Sequence, residues 1–281
     1  MTVSESFDKV RRYYDAFDEW SRLDSPAGTL EFARTMRVLE THLAPQSRIL
    51  DLGGGPGRYT LALAAAGHRV CLADLSENLI AEARAHIGRS DAASNVESVE
   101  VANACDLSRY ATASFDAVLA LGPFYHLTSE ADRLSASREI VRILKPEGLL
   151  VAAFIPRLCG LAGLISRAAQ APNQVSVSSL DRVAKDGVFQ NESERGFQEG
   201  YYARPEDIAA FFEHCGFQTT EVVSVRGIGY GQEQYLSQLH PLNAGLCDRF
   251  LDLIHETQSD PAVIAMGGHA LHIGRKRSNG E

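Results

Sequence analysis

The order of apolar and polar positions predicts a chain in which short buried strands alternate with amphipathic helices. Between Arg48 and Asp74, an apolar run at 49–52 ends in a turn at 53–57 that holds four glycines and a proline. Apolar residues at helical spacing follow this turn, and a second apolar run at 70–73 closes the unit. This pattern is typical of a strand, a tight turn, a helix and a second strand parallel to the first.

Further periodic segments extend this unit into a larger sheet. Two helices are expected within 4–43, separated by a turn at 24–28, and helices are also expected between later strands. The later strands are expected at 96–101, 115–121, 149–154, 219–225 and 269–275. Strands that alternate with helices in this way indicate the α/β class.

Two stretches do not follow the alternation and are interpreted as insertions. Residues 156–200 combine a short apolar helix with polar and charged residues, and they are too long for an ordinary loop. Residues 227–261 hold one amphipathic helix among polar residues. The predicted organisation is an N-terminal helical lid at 1–44, a core at 45–155 and 201–278, a lid insertion at 156–200 and a second insertion at 227–261.

The glycine-rich turn and the acidic ends of the first two strands indicate a binding site for a nucleoside. The dinucleotide fingerprint G-x-G-x-x-G needs a small residue at position 58, where this chain has Arg58. Asp51 lies beside the turn, where it would repel a pyrophosphate and would hold a cationic amino group. The pattern therefore favours a ligand with an ammonium group and no phosphate.

With its spacing G-x-G-x-G, this unit resembles the class I S-adenosylmethionine-dependent methyltransferases. The stretch LGPFYHL at 121–127, and KPEG at 145–148 where the family usually has Pro-Gly-Gly, resemble bacterial small-molecule methyltransferases. The resemblance covers about residues 45–155. It implies an α/β, Rossmann-like seven-stranded sheet with helices on both faces, an antiparallel last strand and helical lid insertions.

The resemblance also implies a cofactor, S-adenosyl-L-methionine, with S-adenosyl-L-homocysteine as its product. Asp74 is expected to bind the two ribose hydroxyls. Asn103 stands where related enzymes often place an acid that accepts from the adenine amino group, and an amide oxygen can accept the same bond. The candidate cofactor-binding residues are Tyr14, Asp51, Gly53, Gly54, Gly55, Gly57, Asp74, Leu75, Asn103, Ala104, Leu121 and Gly122.

Methyl transfer requires an acceptor aligned with the sulfonium methyl group and, where the acceptor is protonated, a group that removes its proton. His126 is the leading candidate base and Tyr125 a candidate for positioning the acceptor, because their loop follows the fourth strand and borders the expected crevice. His240 is a weaker candidate for the base. A purely structural histidine and a packing role for Tyr125 remain the alternatives.

Three functions are compatible with these motifs. The first is methyl transfer to the oxygen or nitrogen of a small molecule, such as a secondary metabolite. The second is another nucleoside-binding enzyme, an aminopropyl transferase or a dehydrogenase. The third is a non-catalytic module that binds S-adenosylmethionine.

Composition narrows the range of partners. A formal net charge of −9 argues against a broad nucleic-acid footprint, which requires clustered Lys and Arg. Five cysteines without a C-x-x-C pair indicate neither a zinc site nor a disulfide framework. His269 and His272 lie on opposite faces of a predicted strand, so no metal is expected. Without a signal-peptide core or a membrane span, the expected protein is cytoplasmic, either a monomer or a homodimer.

Overall fold

The alternating pattern forms one sheet that is covered on both faces by helices. The computed structural model describes residues 3–15, 17–191, 193 and 197–278, with 3–7 described by their backbone alone. The helices are α1 (Val3–Asp15), α2 (Glu19–Arg22), α3 (Pro26–His42), α4 (Arg58–Ala65), α5 (Glu77–Ile87), α6 (Glu130–Ile143), α7 (Arg157–Gln170), α8 (Val177–Asp186), α9 (Pro205–His214), α10 (Glu233–Leu239), α11 (Ala244–Glu256) and α12 (Pro261–Met266). The strands are β1 (Arg48–Leu52), β2 (Arg69–Asp74), β3 (Val96–Val101), β4 (Phe115–Ala120), β5 (Leu144–Pro156), β6 (Val188–Gln190), β7 (Glu199–Ala203), β8 (Phe217–Ser224) and β9 (Ala270–Lys276).

The main part of the sheet has the strand order β3-β2-β1-β4-β5-β9-β8. Strands β1 to β5 run parallel, and β9 lies antiparallel between β5 and β8. The predicted α/β class and the antiparallel last strand are therefore confirmed. The strand order reverses between β1 and β4, and in such sheets this switch opens a crevice at the carboxyl ends of the strands.

Two apolar layers, one on each face of the sheet, hold the helices in place. Along β5, Leu150, Ala152 and Phe154 belong to the layer that packs under α6 and α9. The intervening residues Leu149 and Val151 belong to the layer under α3 and α4. A central parallel strand is buried on both faces, so its sequence is a continuous apolar run. The apolar run at 149–154 predicts β5 for this reason.

Among the described residues, the sheet has nine strands where seven were expected, because the insertion at 156–200 contributes two. Strands β6 and β7 pair antiparallel, and Tyr202 and Ala203 of β7 pair in parallel with Ile155 and Pro156 of β5. The insertion also contains α8 in the stretch expected to be irregular. A three-residue strand such as β6 has too few positions to show a period of two.

The N-terminal segment forms three helices where two were expected. The additional helix is α2, a single turn capped by Asp18, whose side chain accepts from the backbone N–H of Ser21. Helix α3 begins inside the expected turn, because Ser25 accepts from the N–H of Gly28 and Pro26 takes the first helical position. One turn of helix carries too few residues to show helical periodicity.

The second insertion consists of the three helices α10, α11 and α12, of which α11 is the amphipathic helix predicted from its apolar spacing. Throughout the part of the chain that the structure describes, every helix is too short or too polar to cross a membrane.

Candidate active site

One cavity of about 1060 Å³, including its mouth, lies over the carboxyl ends of β1, β2 and β4. The loops that follow β1, β2, β3 and β4 form its floor, while residues of α1 and α2 line it from the other side. The predicted residues that line it are Tyr14, Asp51, Gly53, Gly54, Gly55, Asp74, Leu75, Asn103, Ala104, Leu121, Gly122, Tyr125 and His126. The fold therefore brings the candidate cofactor residues and the candidate catalytic residues into one site.

The turn after β1 depends on its glycines. Gly53 and Gly55 have φ angles of 73° and 54°, a left-handed conformation that favours glycine. A Cβ atom at Gly53 would lie 2.8 Å from the Cδ atom of Pro123, and one at Gly54 would lie 2.8 Å from the carboxyl group of Asp51. Only glycines, which have no side chain, allow the turn to adopt this shape. The backbone of the turn is therefore open to a ligand.

Gly57 was predicted to bind the cofactor, but it is not among the residues that line the cavity. It precedes α4 with a φ of 93°, and a Cβ atom there would face Leu72 at 3.3 Å and Ala83 at 3.7 Å. Gly57 therefore serves the turn and the packing of α4 on β2, and its contact with the cofactor stays a prediction.

Asp74, at the end of β2, fixes the glycine turn from the opposite side. Its Oδ2 atom accepts from the N–H of Gly55 at 2.9 Å, and its Oδ1 atom accepts from the N–H of Ser76 at 2.9 Å. Burial raises the pKa of this carboxyl group. Each carboxylate oxygen can accept more than one hydrogen bond, so Asp74 keeps acceptor capacity toward the cavity.

Asp51 is buried beneath the same turn. Its Oδ2 atom accepts from the hydroxyl of Thr60 at 2.7 Å. Burial raises the pKa of Asp51 to about 6, and the neighbouring carboxylate of Asp74 acts in the same direction. A bound cation would offset both effects, which fits the predicted role of Asp51 toward an amino group.

Asn103 lies in the loop after β3, at the wall of the cavity. Its Oδ1 atom accepts from the N–H of Cys105 at 2.9 Å and thereby closes its own turn. An amide oxygen has a second lone pair, so an additional bond from an adenine amino group is compatible with this geometry. The role of Asn103 toward adenine stays a prediction.

His126 and Tyr14 form a hydrogen-bonded pair in the cavity wall. The Tyr14 hydroxyl lies 2.7 Å from the Nε2 atom of His126, and the Nδ1 atom lies 3.4 Å from the carbonyl oxygen of Glu199. Because a carbonyl can only accept, Nδ1 carries the proton and Nε2 accepts from the tyrosine hydroxyl. Burial lowers the pKa of His126 to about 4, so the ring is neutral at pH 7.

A largely buried charged cluster, which the sequence did not reveal, lies beside Tyr125, and two of its members, Glu19 and Arg22, line the cavity. The ring of Tyr125 stacks on His269 with centroids 5.4 Å apart, and the Nδ1 atom of His269 lies 3.0 Å from Oε2 of Glu31. Arg22 donates to Glu31 at 2.8 Å and to Glu19 at 2.6 Å. Burial alone would raise the pKa of Glu31, but His269 and Arg22 outweigh it and hold that pKa well below its usual range.

His240 was a candidate base, but it lies outside the cavity. It is exposed at the end of α10, in the second insertion. The interpretation of His240 as a group of the acceptor pocket is therefore corrected. Within the described residues, no three His, Cys, Asp or Glu side chains form a group that could hold a metal ion.

Residues 50–152 match the family model described as a methyltransferase domain. This part of the chain is a methyltransferase domain. It extends from β1 into β5 and contains the glycine turn, Asp74, Asn103 and the loop with His126. The predicted resemblance to the class I S-adenosylmethionine-dependent methyltransferases is thereby confirmed for the stretch that carried it.

The methyltransferase domain is similar to curated proteins that act on different acceptors. The chain is 34% identical over 149 residues to the demethylmenaquinone methyltransferase of Clavibacter sepedonicus, covering 53% of this chain and 56% of that protein. It is 30% identical over 148 residues to the tRNA 5-carboxymethoxyuridine methyltransferase of Escherichia coli, covering 50% of this chain and 54% of that protein. The chain therefore spans little more than half the length of either relative.

A solved structure extends the likeness of the fold beyond the methyltransferase domain. The chain is similar to the 1,6-didemethyltoxoflavin-N1-methyltransferase of Burkholderia thailandensis, solved with 1,6-didemethyltoxoflavin and S-adenosylhomocysteine. The TM-score is 0.60 at 17% identity, and the match covers 99% of this chain and 92% of the other. At this identity the likeness concerns the fold alone.

Proposed function

We propose that the chain is an S-adenosylmethionine-dependent methyltransferase that transfers the methyl group to an oxygen or nitrogen of a small molecule. The observation that carries this proposal is the single cavity that joins the predicted donor residues to the pair of Tyr14 and His126. A donor held at the strand ends would lie beside polar groups able to bind an acceptor.

The residues at the strand ends suit this donor. Asp74 would hold the ribose hydroxyls, and Asn103 would accept from the adenine amino group. The glycine turn would let the backbone approach the methionine part of S-adenosylmethionine. Asp51 would balance the positive charge of its amino group. When bound, S-adenosylmethionine supplies the electrophilic methyl group of its sulfonium.

The enclosure of the cavity supports a small acceptor. The Nζ atom of Lys9 in α1 lies 3.2 Å from the carboxylate of Glu199 in β7, and the ring of Tyr13 meets that of Phe197 edge-on at 6.0 Å. These contacts join the N-terminal helix to the insertion at 156–200, as expected for a lid. The net charge of −9 also disfavours a nucleic-acid acceptor such as that of the tRNA-modifying relative.

Lys9→Met is expected to loosen this lid. The variant removes the ion pair that joins α1 to β7, so trypsin should cut within 156–200 several-fold faster than in the native protein. S-adenosylhomocysteine should protect the native protein from cleavage, because a ligand stabilises the closed state. Arg12→Met is the matched control, since within the described residues the side chain of Arg12 donates to the carbonyl of Asp8 in its own helix. Equal cleavage of all three proteins, with and without the ligand, would contradict the lid.

The proposed function is tested by binding and turnover. S-adenosylmethionine should raise the melting temperature more than decarboxylated S-adenosylmethionine or NAD does. Stabilisation by NAD alone would identify a dehydrogenase, and release of methylthioadenosine from the decarboxylated compound would identify an aminopropyl transferase. Formation of S-adenosylhomocysteine with a small acceptor excludes a non-catalytic binding module.

The affinity for S-adenosylmethionine is expected to fall at acidic pH because of Asp51. Its pKa is raised to about 6 in the free protein, and a bound ammonium favours the ionised form. Binding is therefore strongest above about pH 7 and weakens by up to about tenfold per unit below pH 6. Calorimetry across this range checks the expectation.

Two controls isolate Asp51 from the other carboxyl groups. 5′-Methylthioadenosine has the ribose but neither the amino group nor the sulfonium, so its affinity should depend less on pH. Asp51→Asn should remove the difference between the two ligands. If the variant keeps the native pH dependence for S-adenosylmethionine, Asp51 is not the group that balances the cation.

A further inference from the structure

Both ring nitrogens of His126 already have partners within the fold. Nδ1 faces the carbonyl of Glu199, and Nε2 accepts from the hydroxyl of Tyr14. The imidazole therefore presents no nitrogen directly to a molecule in the cavity. Tyr14 also lines the cavity, and its hydroxyl oxygen can accept a further hydrogen bond while it donates to Nε2.

We propose that the acceptor is a hydroxyl compound, that Tyr14 contacts its hydroxyl group, and that the acceptor's proton passes through Tyr14 to His126. This inference rests on the proposed methyl transfer and deepens it. It moves Tyr14 from the predicted cofactor-binding residues to the catalytic residues. His126 becomes the final proton acceptor behind Tyr14.

The transfer balances in atoms and charge. A lone pair of the acceptor oxygen attacks the methyl carbon, and the carbon–sulfur bond breaks with its electron pair left on sulfur. The acceptor's proton moves to the Tyr14 oxygen while the proton of Tyr14 moves to Nε2 of His126. The positive charge that leaves the sulfonium thus reappears on the imidazole, and the cavity gains no net charge.

The groups around His126 keep it a weak base. Tyr14 approaches from α1, Tyr125 from its own loop, Glu199 from β7 and His269 from the segment before β9. Burial is the largest cause that lowers the pKa of His126 to about 4, and His269 acts in the same direction. The ring can therefore take a proton only from a stronger acid.

This weak basicity favours a hydroxyl acceptor over an amine. A hydroxyl group that gains a methyl before it loses its proton becomes an oxonium, which is a far stronger acid than an imidazolium. An aliphatic amine is protonated at pH 7, with a pKa near that of lysine, roughly 10, and this ammonium must lose a proton before its lone pair can attack. His126 could accept the proton of the oxonium and could not accept that of the ammonium.

The first experiment needs no acceptor. In the ¹⁵N-labelled protein saturated with S-adenosylhomocysteine, long-range imidazole NMR at pH 7 should show His126 with its proton on Nδ1 and a hydrogen-bonded Nε2. Tyr14→Phe, which removes only the hydroxyl, should move the Nε2 resonance toward that of an unbonded nitrogen. A proton on Nε2, or an unchanged resonance in the variant, would overturn the relay.

The second experiment measures transfer from bound S-adenosylmethionine to two sets of probes. The phenols are catechol, hydroquinone and 4-nitrophenol, and the aliphatic amines are glycine, sarcosine and benzylamine. Phenols should be methylated, and Tyr14→Phe should lower the single-turnover rate at pH 7 by about a hundredfold to ten-thousandfold for catechol and hydroquinone. The loss should be much smaller for 4-nitrophenol, which already ionises near pH 7. In this variant the rate should rise with pH as the phenol ionises, because a phenolate needs no base.

The matched control is Tyr110→Phe. Its hydroxyl donates to Glu100 at 3.3 Å, and Tyr110 is not among the residues that line the cavity. This variant should keep the native rate and pH profile. Methylation of amines without phenols, or a native rate in Tyr14→Phe, would overturn the inference. Transfer to neither set would contradict the proposed function, while the NMR experiment still decides the relay.

Discussion

Asp74→Ala is expected to lower the affinity for S-adenosylmethionine at least tenfold. The ionised side chain would accept from both ribose hydroxyls, and hydrogen bonds to a charged group contribute about 1.5–3 kcal/mol each. The loss of two such bonds exceeds the roughly 1.4 kcal/mol that corresponds to tenfold in affinity. Calorimetric titration of native and variant protein measures the difference.

Asp74 also accepts from the N–H groups of Gly55 and Ser76, so the variant disturbs the turn as well as the ligand contact. Thermal unfolding followed by circular dichroism separates a folded protein that binds weakly from an unfolded one. The affinity for 5′-methylthioadenosine should fall to a similar extent, because this ligand retains the ribose.

Asp116→Ala provides a matched control for Asp74→Ala. Asp116 also lies on a strand of the sheet, but it pairs with Lys145 at 2.6 Å near the amino end of β4, away from the cavity. Its removal should leave ligand affinity unchanged. If Asp74→Ala binds S-adenosylmethionine as tightly as this control does, the ribose assignment is wrong.

That the candidate cofactor residues lie together could be predicted because they are close in sequence. The glycine turn joins β1 directly to α4, and parallel strands place Asp51 and Asp74 at the same edge of the sheet. Backbone geometry alone therefore brings these residues together. Gly57 continues the glycine spacing, but the chain has already turned into α4 there, so its contact with the cofactor stays a prediction.

The acceptor half could be predicted only in part, because it is built from contacts between distant segments. Tyr14 and His126 are 112 positions apart, and no motif specifies their 2.7 Å contact. The pairs of Arg22 with Glu31 and of Glu31 with His269 depend equally on how α2 and α3 dock on the sheet. A sequence pattern reports the periodicity of each helix but not the partner of each polar side chain.

The two insertions show the same limit. Their length predicted that both segments depart from the alternating pattern, but their internal structure depends on tertiary pairing. Strand β7 is defined by its pairing with the end of β5, and its first residue, Glu199, is buried against α1 through Lys9. His240 was considered because it lies in an insertion expected to cover the acceptor, whereas α10 leaves it exposed at the surface.

His126→Ala is expected to lower the rate of methyl transfer by about a hundredfold to ten-thousandfold, the usual contribution of a positioned general base. The affinity for S-adenosylmethionine should remain close to native, because the strand-end residues are unchanged. Single-turnover transfer to a phenol from bound S-adenosylmethionine measures the chemical step without product release.

A structural histidine would give the opposite pattern. Loss of its contacts with Tyr14 and Glu199 would lower the melting temperature and leave the rate of the folded fraction nearly native. Added imidazole separates the two roles further, because it can occupy the space left by the side chain and should restore part of the rate only if His126 accepts a proton.

The double variant Tyr14→Phe/His126→Ala decides whether the two residues act as one unit. Independent contributions would multiply, whereas groups in one proton path are non-additive, so the double variant should be about as slow as the slower single variant. His240→Ala is the matched control, since this exposed histidine lies outside the cavity and its loss should leave the rate native. Native transfer by His126→Ala together with slow transfer by His240→Ala would reverse the assignment and place the base in the second insertion.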